Sequence, residues 1–80
     1  MTPQVAARFE ALRRWRLETA RRTQVPPFVV FHDRTLAEIA RRDPASNAAL
    51  ASIPGIGPAK LDRYGELVLA ALRDEAAVVR

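Results

Sequence analysis

The residues best suited to chemistry are Ile53-Pro54-Gly55-Ile56-Gly57-Pro58-Ala59-Lys60. Two glycines around an isoleucine make a tight turn whose backbone can approach an anion closely, and Pro58 fits the first position of a following helix. That helix start would gather free amide N–H groups and the positive end of a dipole, with Lys60 and Arg63 within a turn of it. The chemistry on offer is non-covalent capture of a phosphate. The competing reading is a plain turn between two helices, because G-x-G alone is weak. A second candidate is Phe28, within Val25-Pro26-Pro27-Phe28-Val29-Val30-Phe31. Beside the rigid Pro26-Pro27 corner its ring either projects outward, where stacking on a base is worth about 1–3 kcal/mol, or packs into the core.

Other chemistries lack their residues. The chain has no cysteine, hence no disulfide, thiolate zinc site or thiol nucleophile, and its single histidine, His32, makes no metal cluster by itself. There is no phosphate loop ending in Gly-Lys-Ser/Thr and no carboxylate cluster for two-metal hydrolysis. The expectation is a module that is not an enzyme and needs no cofactor. No stretch approaches the roughly 18 apolar residues of a membrane span, and no apolar export segment opens the chain, so a cytoplasmic protein without membrane contact is expected.

The net charge of +4 favours an anionic partner. Its distribution is uneven: six arginines between Arg8 and Arg22 face only Glu10 and Glu18, and the rest of the chain is balanced. Twelve of the thirteen basic residues are arginine, a bias that a GC-rich genome explains as readily as phosphate binding does.

Four helices must position these candidates. From Pro3 to Thr23, Val5, Phe9, Leu12 and Ala20 recur at helical spacing and form one stripe. Arg16 falls in the middle of that stripe, so its guanidinium must find partners; a structural arginine tied to the Pro26–Asp33 segment is preferred over a ligand contact. Arg8, Arg13, Arg14, Arg21 and Arg22 scatter around the remaining circumference, as a solvated face or as DNA contacts. The segment with two prolines reads as an extended loop crossing the core. Asp33 offers an N-cap for a second helix carrying Leu36, Ile39 and Ala40, with Thr35 and Glu38 as a competing capping box, and this helix should stop near Arg42. Ser46 caps a short third helix presenting Leu50 and Ile53. On the last helix Leu61, Gly65, Val68 and Leu72 form a stripe, Tyr64 and Leu69 lie at its margins, and Lys60, Arg63 and Leu67 share another face. Gly65 in mid-helix costs about 1 kcal/mol against alanine and implies close packing. Residues 74–80 have no cap and should fray.

Leu12-x-x-Trp15-Arg16 with Ala20, the Val25–Phe31 segment, Asp33-x-x-Leu36-x-x-Ile39-Ala40, Pro44-x-Ser46 and Ile53-x-Gly55-Ile56-Gly57-x-x-Lys60-x-x-x-Tyr64-Gly65 together closely resemble the HRDC family, over about Phe9 to Leu72. The resemblance implies an all-α, compact bundle of about four to five short helices with a helix-hairpin-helix-like turn, here one domain over 1–80 with its core at about 9–72. Such domains lie at the C-termini of RecQ-type helicases, some superfamily 1 helicases and ribonuclease D, and are auxiliary. Val25–Phe31 looks most like bacterial RecQ, in which an aromatic at the Phe28 position is implicated in single-strand binding. It is often tyrosine there; phenylalanine keeps the stacking face and loses the hydroxyl. The expected function is weak, sequence-independent binding of single-stranded or forked DNA on behalf of a 3′–5′ RecQ-type helicase in DNA repair and recombination, by a monomer associated with the nucleoid. The candidate contacts are Phe28, Arg34, Gly55, Ile56, Gly57, Lys60 and Arg63. The rival expectation is a regulatory module docking on its own helicase core or on a partner protein.

Overall fold

A computed structural model describes residues 1–79, which form α1 (Pro3–Thr23), α2 (Pro27–Val30), α3 (Asp33–Arg42), α4 (Asn47–Ala51) and α5 (Pro58–Val79), with no strand among the described residues. None of these helices is long and apolar enough to cross a membrane. At the start of α1 the Thr2 hydroxyl accepts from the Val5 amide at 3.2 Å, and Pro3 occupies a position where a missing N–H costs nothing. The helix ends where Gln24 turns left-handed at φ 60° and returns its amide to Ala20 and Arg21.

The two long helices, α1 and α5, pack against each other, α3 and α2 lie on α1, and α4 lies on α5. Leu12, Ala20, Leu36, Ile39, Leu50, Ile53, Val68 and Leu72 are all buried, with Val5, Phe9 and Leu61 packed against them, as the stripes require. At the centre three rings meet. Phe31 and Tyr64 have centroids 5.6 Å apart, Trp15 meets Tyr64 edge-on at 5.7 Å, and Trp15 lies 6.0 Å from Phe31. Pairs of this kind add about 0.5–1.5 kcal/mol beyond the area they bury, and here they join α1, the α2–α3 junction and α5.

The expected extended loop is corrected: Pro27–Val30 is one helical turn. Two prolines in a row do not exclude a helix that begins at the second. Pro26 holds the extended conformation required before a proline (φ −62°, ψ 148°), and Pro27 sits at the first helical position with φ already suitable. The start of α3 also differs in detail. His32, not Asp33, is the N-cap and makes no side-chain capping bond; Asp33 is turned towards Arg16, and Glu38 towards Arg41 and Arg42. Neither expected cap forms. Ser46 does cap α4, accepting from the Ala49 amide at 3.1 Å.

Gly65 lies against α4, where an added Cβ would come within 2.9 Å of the Asn47 side-chain oxygen, so the close packing inferred for it is present. Beyond Arg73, α5 continues. The stretch from Asp74 expected to fray is helical as far as Val79, consistent with the helix-favouring Ala76 and Ala77, and Arg80 lies outside the described residues.

Candidate nucleic-acid interface

The Gly-Ile-Gly turn is shaped by contacts on one side and open on the other. Gly55 has φ +95°, and a Cβ there would collide with the Thr35 hydroxyl on α3, so both backbone conformation and space demand glycine. Ile56 drops its side chain into the core and donates its amide to the Ile53 carbonyl at 3.2 Å. Of the candidate contacts it is therefore the anchor of the turn, with neither side chain nor amide turned outward. Gly57 is different. Nothing lies within 4 Å of a Cβ placed there, and its carbonyl accepts from Leu61 at 3.0 Å, which makes it the N-cap of α5. The amides of Ala59 and Lys60 follow in the first turn, where no intrahelical acceptor exists.

Lys60 does not reach back to this turn. Its ammonium donates to the carbonyls of Val29 and Val30 at 2.7 and 2.6 Å and lies 5.2 Å from the centre of the Phe31 ring. These are the last carbonyls of α2, which a one-turn helix leaves without donor partners, so Lys60 completes α2 from α5. Burial, and secondarily the neighbouring Arg63, hold its pKa below the ordinary 10.5. Two of three ammonium hydrogens are thus committed, and the free cations nearest the turn are Arg34 and Arg63, neither of them ion-paired among the described residues.

Phe28 is 58% exposed, which excludes the core alternative. Its ring stacks on that of His32, with centroids 6.0 Å apart and planes at 28°. His32, with Arg34, Thr35, Pro54 and Gly55, lines a concavity of about 530 Å3. Phe28, Arg34 and Gly55 thereby come to one place, with His32 as the link. Lys60 and Arg63 line a separate groove of about 430 Å3 with Thr23, Val25, Val29, Ala59 and Tyr64. Sequence reasoning passed over His32 except as a metal ligand. The signal available was its position just before α3, where Ser, Thr, Asp or Asn is usual.

Arg16 is 8% exposed and donates from Nη1 to the Phe31 carbonyl at 2.9 Å and to the Asp33 carboxylate at 2.7 Å. It is the structural arginine expected, tied to the segment expected, although its buried Nε finds no partner. The other α1 arginines divide. Arg8 donates to the Ala40 carbonyl at 2.7 Å, capping the end of α3, and Arg13 pairs with Glu10 at 3.3 Å and lies over Phe9. Arg14, Arg21 and Arg22 are exposed, with no ion pair among the described residues.

The HRDC domain family matches residues 5–72 of the chain. The chain belongs to the HRDC family. This HRDC domain is 52% identical over 62 residues to the ATP-dependent DNA helicase UvrD2 of Mycobacterium tuberculosis, 48% over 61 residues to the ATP-dependent DNA helicase RecQ of Bacillus subtilis, and 37% over 71 residues to that of Haemophilus influenzae. These alignments take in 78%, 76% and 89% of the chain but only 9%, 10% and 12% of the helicases. Among solved structures it superposes on the D. radiodurans RecQ HRDC domain 3 with a TM-score of 0.85 and 40% identity, covering 88% of this chain and 92% of that one. The all-α bundle is thus the HRDC fold.

Proposed function

We propose that this HRDC domain is the accessory nucleic-acid-binding part of a DNA helicase, and that it binds single-stranded or forked DNA weakly and without sequence preference. The observation that carries the reading is Phe28: a large aromatic held in the open on a one-turn helix, beside a concavity edged by Arg34 and the Gly55 turn. An exposed ring costs hydrophobic stabilisation that an inward one would gain, and a ring beside a concavity edged by the unpaired Arg34 suits an unstacked base with its phosphate. Phosphates would meet Arg34, Arg63 and the amides at the start of α5, with Gly57 leaving room for close approach. The relatives are named as DNA helicases, and a 3′–5′ RecQ-type parent, acting in repair and recombination at the nucleoid, is part of the proposal.

A second reading rests on Leu67, 45% exposed in a groove of about 400 Å3 between α1 and α5 with Trp15, Ala70 and Ala71. These apolar residues, sharing the groove with Arg14, Glu18, Asp74 and Glu75, suit docking on a helicase core or a partner protein. Salt separates the two. Affinity of the domain for fluorescent single-stranded, duplex and forked DNA should fall steeply between low and moderate salt if several phosphates are neutralised. Binding to none of the three at low salt would remove the DNA reading and leave the docking one.

A further inference from the structure

We infer that His32 is a nucleobase contact, forming with Phe28 a two-ring platform that makes the neighbouring concavity the seat of one unpaired base. The inference rests on the DNA-binding reading above and gives it a second aromatic and a place for the base.

Three observations lead to it. First, His32 occupies the N-cap of α3 without capping it. A side-chain acceptor at this position is worth about 1 kcal/mol, so a residue that forgoes the bond departs from the local rule in the way functional positions do. Second, the ring does something else with that freedom: it stacks at 28° on a phenylalanine that is itself exposed. Two exposed rings in contact present more flat π surface than either alone, and one orders the other before any ligand arrives, which lowers the entropy cost of binding. Third, only one of the two rings lines the concavity of about 530 Å3, and that ring is His32, which shares the lining with Arg34, Thr35, Pro54 and Gly55. A base entering there would stack on the imidazole, and its phosphate would lie within the field of Arg34. Every base has a π face, so the site reads no sequence, whereas a paired base cannot enter.

The test is a titration of the full chain, as wild type, His32→Ala, His32→Phe and Phe28→Ala, against fluorescent oligothymidine and an oligomer of the same length made of abasic sites. The wild type should prefer oligothymidine. His32→Ala should melt with the wild type, because the side chain is exposed and makes no hydrogen bond, yet lose about fivefold or more in oligothymidine affinity, the lower end of what one stacked base contributes. Its affinity for the abasic oligomer should be unchanged, and His32→Phe should restore the preference for bases. If Phe28→Ala weakens oligothymidine binding while His32→Ala does not, this inference is overturned and the DNA reading stands. Equal loss on both oligomers in His32→Ala would mean a charge or shape role and also overturn it. Failure of the wild type to bind oligothymidine at low salt would overturn both.

Discussion

The ammonium of Lys60 lies 2.6 Å from the carbonyl oxygen of Val30, joining the first turn of α5 to the last residue of α2. A lysine whose position suggests a phosphate ligand is instead the C-terminal partner of the helix that carries Phe28. Its commitment changes what its loss should do.

Lys60→Met keeps the apolar stem and removes the donor. Hydrogen bonds to a charged group are worth about 1.5–3 kcal/mol when buried, and this site is partly open, so a loss of about 1–2 kcal/mol is expected at neutral pH. Burial, and then Arg63, lower the Lys60 pKa, so the folded chain releases this proton before the unfolded one does. Between the folded value and 10.5 the unfolded chain binds more protons, and the Lys60 contribution to stability rises with pH. Denaturant titrations of wild type and variant across the alkaline range should show the gap widening; a gap that narrows would contradict the assigned cause.

Arg16→Ala removes the tie between α1 and the α2–α3 junction. Breaking a fully buried pair costs about 3–5 kcal/mol; with the Asp33 carboxylate largely in solvent, about 2–3 kcal/mol is expected, or roughly 10 °C or more in Tm for a domain of this size. Arg14→Ala, on an exposed position, should melt within a few degrees of wild type. Matching melting curves for the two variants would contradict the role given to Arg16.

Phe28→Ala should leave stability nearly untouched, since an exposed ring leaves no cavity, in contrast to the roughly 3–5 kcal/mol of a core phenylalanine. Single-strand affinity should drop by about 1–3 kcal/mol, and duplex affinity much less. Thermal melting and paired titrations check this together; unchanged single-strand binding by a folded variant would remove Phe28 from the interface.

The two glycines of the turn should part company. Gly55→Ala forces a Cβ into the Thr35 hydroxyl at a positive φ and should destabilise by about 1–3 kcal/mol. Gly57→Asp meets open space and supplies a preferred N-cap, so it should fold as well as wild type. A carboxylate where phosphate is expected should nevertheless weaken binding to every DNA form. If Gly57→Asp binds as tightly as wild type, phosphates do not use this end of α5.

The amphipathic stripes of α1 and α5 were legible because a period near 3.6 is local, and so was Arg16, since a charge in an apolar stripe stands out against its neighbours. The one-turn α2 was not. Its two prolines read as helix-breaking, and what completes it is an ammonium some thirty residues away that no local pattern announces. The carbonyl partners of Lys60 were hidden for the same reason: proximity in sequence to the glycine turn drew attention there, while the length of its stem lets it reach Val29 and Val30. His32 was hidden differently, because its interest lies in a capping bond it does not make and in a ring it touches only once α2 forms.

A four-residue helix has no independent existence in water, since nucleation alone outweighs its few hydrogen bonds. Its beginning here is set by Pro27, and its exit is held by cations from two distant helices, Arg16 of α1 on the Phe31 carbonyl and Lys60 of α5 on those of Val29 and Val30. Phe28 is therefore displayed only while both long helices are in place. Partial unfolding that released either end of the chain would not leave a looser but serviceable platform; it would dissolve the platform altogether. The hydrogen-bonded amides of Val29 and Phe31 should then exchange with solvent at the rate of global opening rather than as part of a mobile surface segment, and a fragment ending before α5 should retain Phe28 in its sequence yet have no surface on which to present it.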